Sequence, residues 1–340
     1  MKRWLCVAFI AAVLVGLVAC SDDPKSDGKI RTDMPVVALK SVGAATITIE
    51  AASDFSAGAY GVIISDKYHS KKTISSDAYV SFADGNFYIL ERNPDNLVYL
   101  TTNGEIIRQI PIEISAKFNA HGICGNGNDK IFVGSREGLF IAVFEKENGD
   151  IKYKESIDLS QYSGASLQDL KFANGKIYAA LHYLHPEFYF PTANSKILEI
   201  DETTGNVLRE FESNFMNVIE IAVRGNKLFV LDRGSFTAID GGITKIDLTN
   251  EAKTTILDGS AVGASPQKIE FVSDSEAFLL VDKGWAADWS SHLGSYITKI
   301  NLSNGNLNPI DNELHSISAI SYNQSTKTLW LASGNEVFKY

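Results

Sequence analysis

Basic side chains recur along this chain at spacings of 44 to 51 residues, although the chain as a whole is acidic. The five positions are Arg92, Arg136, His182, Arg233 and Lys283. The 340 residues contain 31 Lys and Arg against 41 Asp and Glu, so a basic residue at each of five regular positions is unexpected by chance. Arginine offers a planar fork to carboxylate and phosphate groups. If the fold brings these positions together, they predict a pocket for an anionic ligand.

A structural interpretation of the same pattern is that each cation pairs with an acid of its own or the next repeat. Repeat proteins reuse one interface chemistry at each junction, so this alternative stays open. The acids that could serve are Asp77, Asp169, Glu220, Asp232 and Asp282.

Two segments that follow basic positions are rich in aromatic residues, where loops are normally polar. They are residues 182–191 and 283–292. Exposed aromatic clusters mark binding surfaces, so we expect Tyr189, Trp285 and Trp289 to stack on a ligand, with Asp288 beside them. The alternative is that these rings pack the two loops against the rim of the fold.

Metal binding and catalysis have weaker signals. His182 and His185 with Glu187 or His292 could bind a metal, but this spacing is not diagnostic, and we expect neither a metal nor a cofactor. His182, His185 and Asp288 could act as acid and base, which leaves an enzyme as an alternative. Cys124 lacks any Cys/His signature and is expected to be a small buried hydrophobe.

The elements that must position these residues are short strands that recur at one period. Six apolar strands repeat, and the spacings between their central residues are 44, 46, 51, 50 and 51. The central residues are Tyr88, Phe132, Tyr178, Phe229, Leu279 and Trp330. Such β-rich repeats are typical of propeller blades, and turn signals such as Asn148-Gly149 separate the strands.

The sequence therefore predicts an all-β propeller of four-stranded blades, in one domain spanning residues 34–340. Residues 30–76 have the length of a further blade, which favours seven blades, with six as the alternative. The five basic positions each follow a central residue by four. An even step keeps them on one face of an extended strand, so they should converge near one mouth of the channel.

The N-terminus predicts export. Residues 1–19 have a basic start and an apolar run too short for a confident membrane span, typical of a signal peptide. Leu17-Val18-Ala19-Cys20 resembles a bacterial lipobox, which implies that Cys20 is lipidated and anchors the protein to a membrane. Residues 20–33 then form a flexible tether. Its acidic residues resemble an export signal of surface lipoproteins, which favours the outer membrane and the cell surface.

The repeated Lys-Ile-Tyr/Phe-Val strand, followed by Ile-Asp-x-x-x-Gly-x-Val, resembles propellers of the YVTN/YncE type. Residues 53–92 are similar to a subgroup of bacterial surface lipoproteins within that type. The resemblance covers nearly all of residues 40–340 and implies a propeller. It implies no particular ligand, because members bind different molecules or none that is known.

These observations favour a non-catalytic, lipid-anchored propeller that binds a small molecule, a glycan or a protein at its loop face. A propeller lyase or hydrolase is the first alternative, and a scaffold in an outer-membrane complex is the second. Without the predicted leader the chain has 29 basic and 41 acidic residues, so electrostatic repulsion argues against nucleic acid as a partner.

Overall fold

A computed structural model describes residues 28–114, 118–187, 189–235, 239–284, 291, 293–310 and 316–340. The chain forms seven antiparallel sheets of four strands each, arranged as a β-propeller, which confirms the predicted fold and the choice of seven blades. In the described part of the chain, no helix has the length and hydropathy needed to cross a membrane.

Each blade runs from an inner first strand to an outer fourth strand. Blade 1 contains β2 Val36–Val42, β3 Ala45–Ala51, β4 Gly58–Ile64 and β5 Lys67–Ile74. Blade 2 contains β6 Ala78–Ala83, β7 Asn86–Glu91, β8 Asn96–Leu100 and β9 Ile106–Pro111. Blade 3 contains β10 Ala120–Gly125, β11 Lys130–Ser135, β12 Phe140–Glu147 and β13 Asp150–Asp158. Blade 4 contains β14 Ser166–Ala173, β15 Lys176–Leu184, β16 Pro191–Asp201 and β17 Val207–Glu212.

The remaining blades follow the same order. Blade 5 contains β18 Val218–Arg224, β19 Lys227–Asp232, β20 Gly242–Asp247 and β21 Lys253–Asp258. Blade 6 contains β22 Ser265–Phe271, β23 Glu276–Asp282, β24 Ser295–Asn301 and β25 Leu307–Pro309. Blade 7 contains β26 Ala319–Asn323, β27 Thr328–Ser333, β28 Glu336–Lys339 and β1 Ile30–Arg31. Short helices lie at Ser160–Tyr162 and Gly259–Val262.

The ring closes through both ends of the described chain. Strand β1 is the outer strand of blade 7, where Ile30 pairs with Val337 and Arg31 with Glu336. Residues 36–74 form a complete blade of their own, which excludes the six-blade alternative. Strand β1 lies within residues 20–33, the segment that the sequence assigns to the tether. The hydrogen bonds between β1 and β28 therefore join the two ends of the described chain and close the ring.

The core lies between blades, because the second strands are buried on both faces. In β7, Phe87 and Ile89 pack with the cluster of blade 1, whereas Tyr88 and Leu90 pack with that of blade 3. All four side chains are fully buried. This two-sided burial explains why the repeated strands are apolar at successive positions rather than alternating.

The residue in blade 6 that corresponds to Phe229 of blade 5 is Phe278, not Leu279 as the sequence analysis assumed. Phe229 points to the next blade, and Phe278 does the same towards blade 7. Leu279 points back and shares a cluster with Phe229. A shift of one residue turns a side chain to the opposite face. Because the strand is apolar at every nearby position, its composition did not reveal the register.

Candidate functional site

Four basic side chains reach the loop face, where the second strands end and the first strands begin. Arg92, Arg136 and Arg233 directly follow β7, β11 and β19, and His182 lies near the end of β15. These four positions correspond in blades 2 to 5, as the spacing predicts. The structure adds His121, which lies near the start of β10. We call Arg92, His121, Arg136, His182 and Arg233 the cation arc.

Arg92 connects blade 2 to His121 of blade 3. It forms an ion pair with Asp77 of its own blade, and its Nη1 lies 3.4 Å from His121 Nδ1. Its Nε is buried and has no hydrogen-bond partner among the described residues. Burial lowers the pKa of Arg92, and Asp77 offsets only part of this effect. One face of this guanidinium is therefore incompletely satisfied.

His121 is the arc residue that the sequence analysis missed. It is stacked on Tyr79 of blade 2 with ring centroids 6.2 Å apart. Burial, then Arg92 and Arg136, lower its pKa well below the ordinary value. A β-bulge between Ala120 and Ile123 sets its position. The sequence offered only a weak indication of His121. The first strands β14 and β22 also begin with a bulge, and each bulge carries a polar residue at the position equivalent to His121, namely Gln168 and Gln267.

Arg136 lies near enough to Arg92, His121 and His182 for its charge to act on them, and no described acid neutralises it. It has no ion pair among the described residues, and its charge lowers the pKa of Arg92, His121 and His182 in addition to the larger effect of burial. Its side chain is partly exposed. Its backbone N–H donates to Asn119 O over 3.0 Å, which fixes the start of the loop. This guanidinium is the one in the arc best placed to meet a ligand.

His182 is almost fully buried, and its Nδ1 lies 3.3 Å from Asn217 Oδ1 of blade 5. Burial, followed by the charge of Arg136, lowers its pKa to about 4. The backbone of Asn217 also accepts a hydrogen bond from Arg233 N over 2.9 Å. Asn217 thus joins His182 to the last cation of the arc.

Arg233 closes the arc by pairing with blade 6. Its Nη2 lies 3.5 Å from Asp282 Oδ2, and Asp282 is the residue that the corrected register places at the equivalent position. Burial lowers the pKa of Arg233, and Asp282 partly reverses this effect. Here the structural interpretation holds, because a cation of one blade meets an acid of the next.

The five acids proposed as partners divide into three roles. Asp77 and Asp282 pair with arc cations. Asp232 instead accepts hydrogen bonds from the backbone N–H groups of Met216, Asn217 and Gly234. The first two of these bonds fix the connection that leads into blade 5. Asp169 and Glu220 lie below the mouth and pair with lysines of the channel.

Lys283 does not belong to the arc. It lies one residue beyond the equivalent position, and its Nζ is 5.3 Å from the centre of the Tyr296 ring. Its backbone N–H donates to Gly294 O over 3.0 Å. Four of the five regularly spaced basic residues therefore occupy equivalent positions in their blades. The fifth, Lys283, was included because the register of its strand was assigned one residue too far along the chain. The physical reason is the strand alternation described for Leu279.

Segment 182–191, expected to be a loop, belongs in its described part to an extended hairpin. Tyr183 pairs with Ala193 and Leu184 with Pro191, so strands β15 and β16 continue into the segment. At its tip His185 is stacked on Phe190, with ring centroids 4.9 Å apart, and its Nδ1 accepts from Glu187 N. Tyr189 is exposed in a left-handed conformation.

The structure does not join His182 and His185 in one described site. His182 bonds to Asn217, whereas His185 bonds within its own tip. Among the described residues, no group of three potential ligands is arranged for a metal ion. Trp285, Asp288, Trp289 and His292 of the second aromatic segment, and Cys20, lie outside the described residues.

Below the mouth, the first strands line a central cavity of about 920 Å³. Three ion pairs lie in and beside it: Lys171 with Asp169 at 2.7 Å, Lys268 with Glu220, and Lys40 with Glu270 at 3.6 Å. We call these six residues the channel network. Arg224 also lines the cavity, and its guanidinium lies 5.0 Å from the centre of the Phe271 ring. Cys124 also lines the cavity and is buried, and burial raises the pKa of its thiol. The expectation of an unreactive small hydrophobe agrees with this environment.

Comparisons with known proteins support the fold alone. No protein-family model matches this chain, and no curated protein sequence matches it. Among solved structures, a streptogramin B lyase has a TM-score of 0.65 at 15% identity, covering 92% of this chain and 95% of its own. Hydrazine synthase of Kuenenia stuttgartiensis has a TM-score of 0.66 at 10% identity, covering 94% and 99%. The Pan2 WD40 domain of Neurospora crassa has a TM-score of 0.61 at 11% identity, covering 90% and 89%.

Proposed function

We propose that this propeller is a non-catalytic binding protein of the cell envelope, whose ligand docks on the cation arc. One observation carries the proposal: Arg136 is partly exposed among three other cationic or imidazole groups, and no described acid neutralises it. Like charges held close together without a counter-ion repel one another and cost folding free energy, so such an arrangement is typical of a binding site.

The pairs at the two ends of the arc favour binding over a purely structural role. Asp77 holds Arg92 at one end, and Asp282 holds Arg233 at the other. These acids orient the outer arginines without compensating the centre. A ligand at the centre would meet Arg136 and the two histidines directly. The neighbouring lyase structure shares only the fold, so it does not by itself favour an enzyme.

The arrangement offers less support for the enzyme alternative. No described carboxylate hydrogen-bonds to His121 or His182, so neither imidazole has the acidic partner that orients a catalytic base. His185, the second proposed acid–base residue, bonds within its own hairpin tip. An arc of positive charge that has no oriented acid–base pair among the described residues is better suited to holding a ligand than to transforming it.

Thermal unfolding of the full chain with a panel of anions, glycans and metals tests this function. A ligand at about 100 times its dissociation constant stabilises the fold by about 2.7 kcal/mol. We expect stabilisation that the Arg136→Ala variant loses. The matched control is Arg108→Ala, which removes an exposed arginine paired with Asp150 on an outer strand. Equal stabilisation of wild type and Arg136→Ala would place the site elsewhere.

The anchor is a separate part of the proposal. Lipidation of Cys20 would attach the propeller to the outer membrane through residues 21–29, with the loop face free to meet ligand. Labelling of growing cells with a palmitate analogue tests this step. We expect labelled protein for the wild type and none for Cys20→Ala. Label retained by Cys20→Ala would overturn the anchor but would leave the binding site untouched.

A further inference from the structure

We propose that the ligand presents an oxyanion, a carboxylate or phosphate group, between Arg136 and His182, and that its binding brings a proton onto His182. This inference rests on the proposed function and specifies its ligand. It concerns one atom in particular: the Nε2 of the His182 ring.

The hydrogen bonds of the two histidines differ, and this difference selects His182. Arg92 Nη1 can only donate, so Nδ1 of His121 accepts and its Nε2 carries the proton. Neutral His121 is already able to donate to an anion. His182 has the opposite tautomer, because its Nδ1 faces the amide oxygen of Asn217 and must donate. Its Nε2 then bears a lone pair, which repels an anion until a proton is added.

The charges around His182 keep it neutral while the site is free. Burial and the nearby Arg136 hold its pKa at about 4. The surrounding groups from neighbouring blades are also cationic: Arg92 and Lys171, together with Arg136, lower the pKa of His121 beside it. A positive charge on His182 therefore has no described counter-ion.

The acids nearest the arc are engaged elsewhere. Asp77 pairs with Arg92, and Asp282 pairs with Arg233. Asp95 accepts the backbone N–H groups of Asn119 and Ala120, and Glu137 accepts from the Asn119 side chain. Since none of these acids bonds to His182, a ligand oxyanion would supply the missing negative charge.

Binding and protonation are then coupled by thermodynamic linkage. An oxyanion beside Arg136 cancels the repulsion that disfavours the imidazolium, and it accepts a hydrogen bond from Nε2–H. The pKa of His182 therefore rises on binding. One proton is taken up between the pKa of the free site and that of the complex, and affinity increases by up to about tenfold per pH unit as pH falls in this window.

Calorimetric titration of the full chain at about pH 5.5 in two cationic buffers with different ionisation enthalpies, bis-Tris and pyridine, tests the coupling. Sulfate represents the phosphate source and trifluoroacetate the carboxylate source, and both stay ionised in this range. We expect the binding enthalpies in the two buffers to differ by the difference between the buffers' ionisation enthalpies, which corresponds to the uptake of about one proton. The anion with the higher affinity identifies the source. Identical enthalpies in both buffers would overturn the inference.

Two variants isolate the proposed atom. His182→Gln keeps a polar side chain of similar reach but cannot gain a proton, so we expect uptake and pH dependence to disappear. His69→Gln, on the outer strand β5 where His69 is exposed, is the matched control and should retain both. Proton uptake that persists in His182→Gln assigns it to another group and contradicts the inference.

Failure of this inference is distinguishable from failure of the proposed function. If neither anion binds, the oxyanion assignment is wrong, whereas an uncharged ligand that stabilises wild type but not Arg136→Ala still supports a binding protein. If an anion binds without proton uptake, the site is correct and only the coupling is lost.

Discussion

The cation arc and the channel network contain similar side chains but treat charge in opposite ways. In the network, three lysines and three carboxylates pair one to one. Two of these acids also accept a hydrogen bond from the backbone of the next blade: Asp169 from Ile221 N over 2.9 Å and Glu220 from Ile269 N over 3.1 Å. In the arc, the acids that the structure describes pair only with the two outer arginines. The network fastens blades together, whereas the arc leaves a centre of positive charge.

The pKa shifts of the cations follow this difference. Burial lowers the pKa of Lys171, but Asp169, Tyr79 and Glu220 together outweigh burial, so the net shift is upwards and the charged form is stabilised. For Arg92 and Arg233 burial outweighs the paired acid, and the net shift is downwards. Among the acids of the network, the pKa of Glu220 is also shifted towards the charged form, whereas at Asp169 burial outweighs Lys171 and raises the pKa. Four experiments sharpen or break this distinction.

The largest effect should come from the network. Asp169→Ala removes the buried carboxylate whose two oxygens bind Lys171 Nζ, and with it the acceptors of the Leu170 and Ile221 N–H groups. Breaking a buried pair in this way costs about 3 to 5 kcal/mol of unfolding free energy. Urea denaturation measures it. Asp77→Ala is the comparison, because Asp77 is largely exposed and should cost at most about 1 kcal/mol. If the two variants lost equal amounts of unfolding free energy, the distinction between the channel network and the cation arc would fail.

The second effect separates binding from stability. Arg136→Ala should change the free energy of unfolding by less than about 0.5 kcal/mol without ligand, because this side chain has no described ion pair to lose. It should also abolish the stabilisation by bound anion, about 2.7 kcal/mol at 100 times the dissociation constant. Denaturation with and without sulfate measures both. A large loss without sulfate would make Arg136 structural.

The third effect concerns pH. The pKa of His182 is about 4 in the fold, below the ordinary value of 6.5 expected when unfolded. The unfolded chain therefore binds the extra proton first, and stability falls as pH decreases from about 6.5 towards 4. At about pH 5 the loss attributable to His182 is about 2 kcal/mol. Thermal unfolding from neutral pH downwards should show a shallower decline for His182→Gln, and an unchanged decline would refute this origin.

The smallest effect should occur at Lys283, outside both regions. Lys283→Ala removes a cation–π contact with Tyr296, which is worth about 0.5 to 1 kcal/mol at a partly exposed site. Anion binding should be unchanged. Loss of binding in this variant would return Lys283 to the ligand site and contradict its exclusion from the cation arc.

Much of the fold was predictable because the repeat is written in local patterns. Apolar second strands recur because each is buried on both faces, and Asn148-Gly149 predicts a hairpin turn because both residues adopt a positive φ there. The same patterns did not reveal β2, the outward continuation of β15, or the pairing of β1 with β28. Those features depend on which strand edge is available in the closed ring.

The candidate site was predictable only in part, for a related reason. Arg92, Arg136, His182 and Arg233 share one position in successive blades, so their spacing reveals them. His121 enters from a first strand through a bulge, and bulges leave no reliable mark in a sequence. Lys283 fits the spacing but not the register, because a run of apolar residues gives no indication of which face each one takes.

By itself the sequence determined a β-propeller, its repeat length and the corresponding basic positions, because strand periodicity and turn residues are local properties. The tertiary structure decided which of these charges are compensated. Compensation depends on neighbours contributed by other blades, such as Asp282 for Arg233 and Ile221 N for Asp169. Distances between residues far apart in the chain set these energies, so the difference between the cation arc and the channel network exists only in the folded ring.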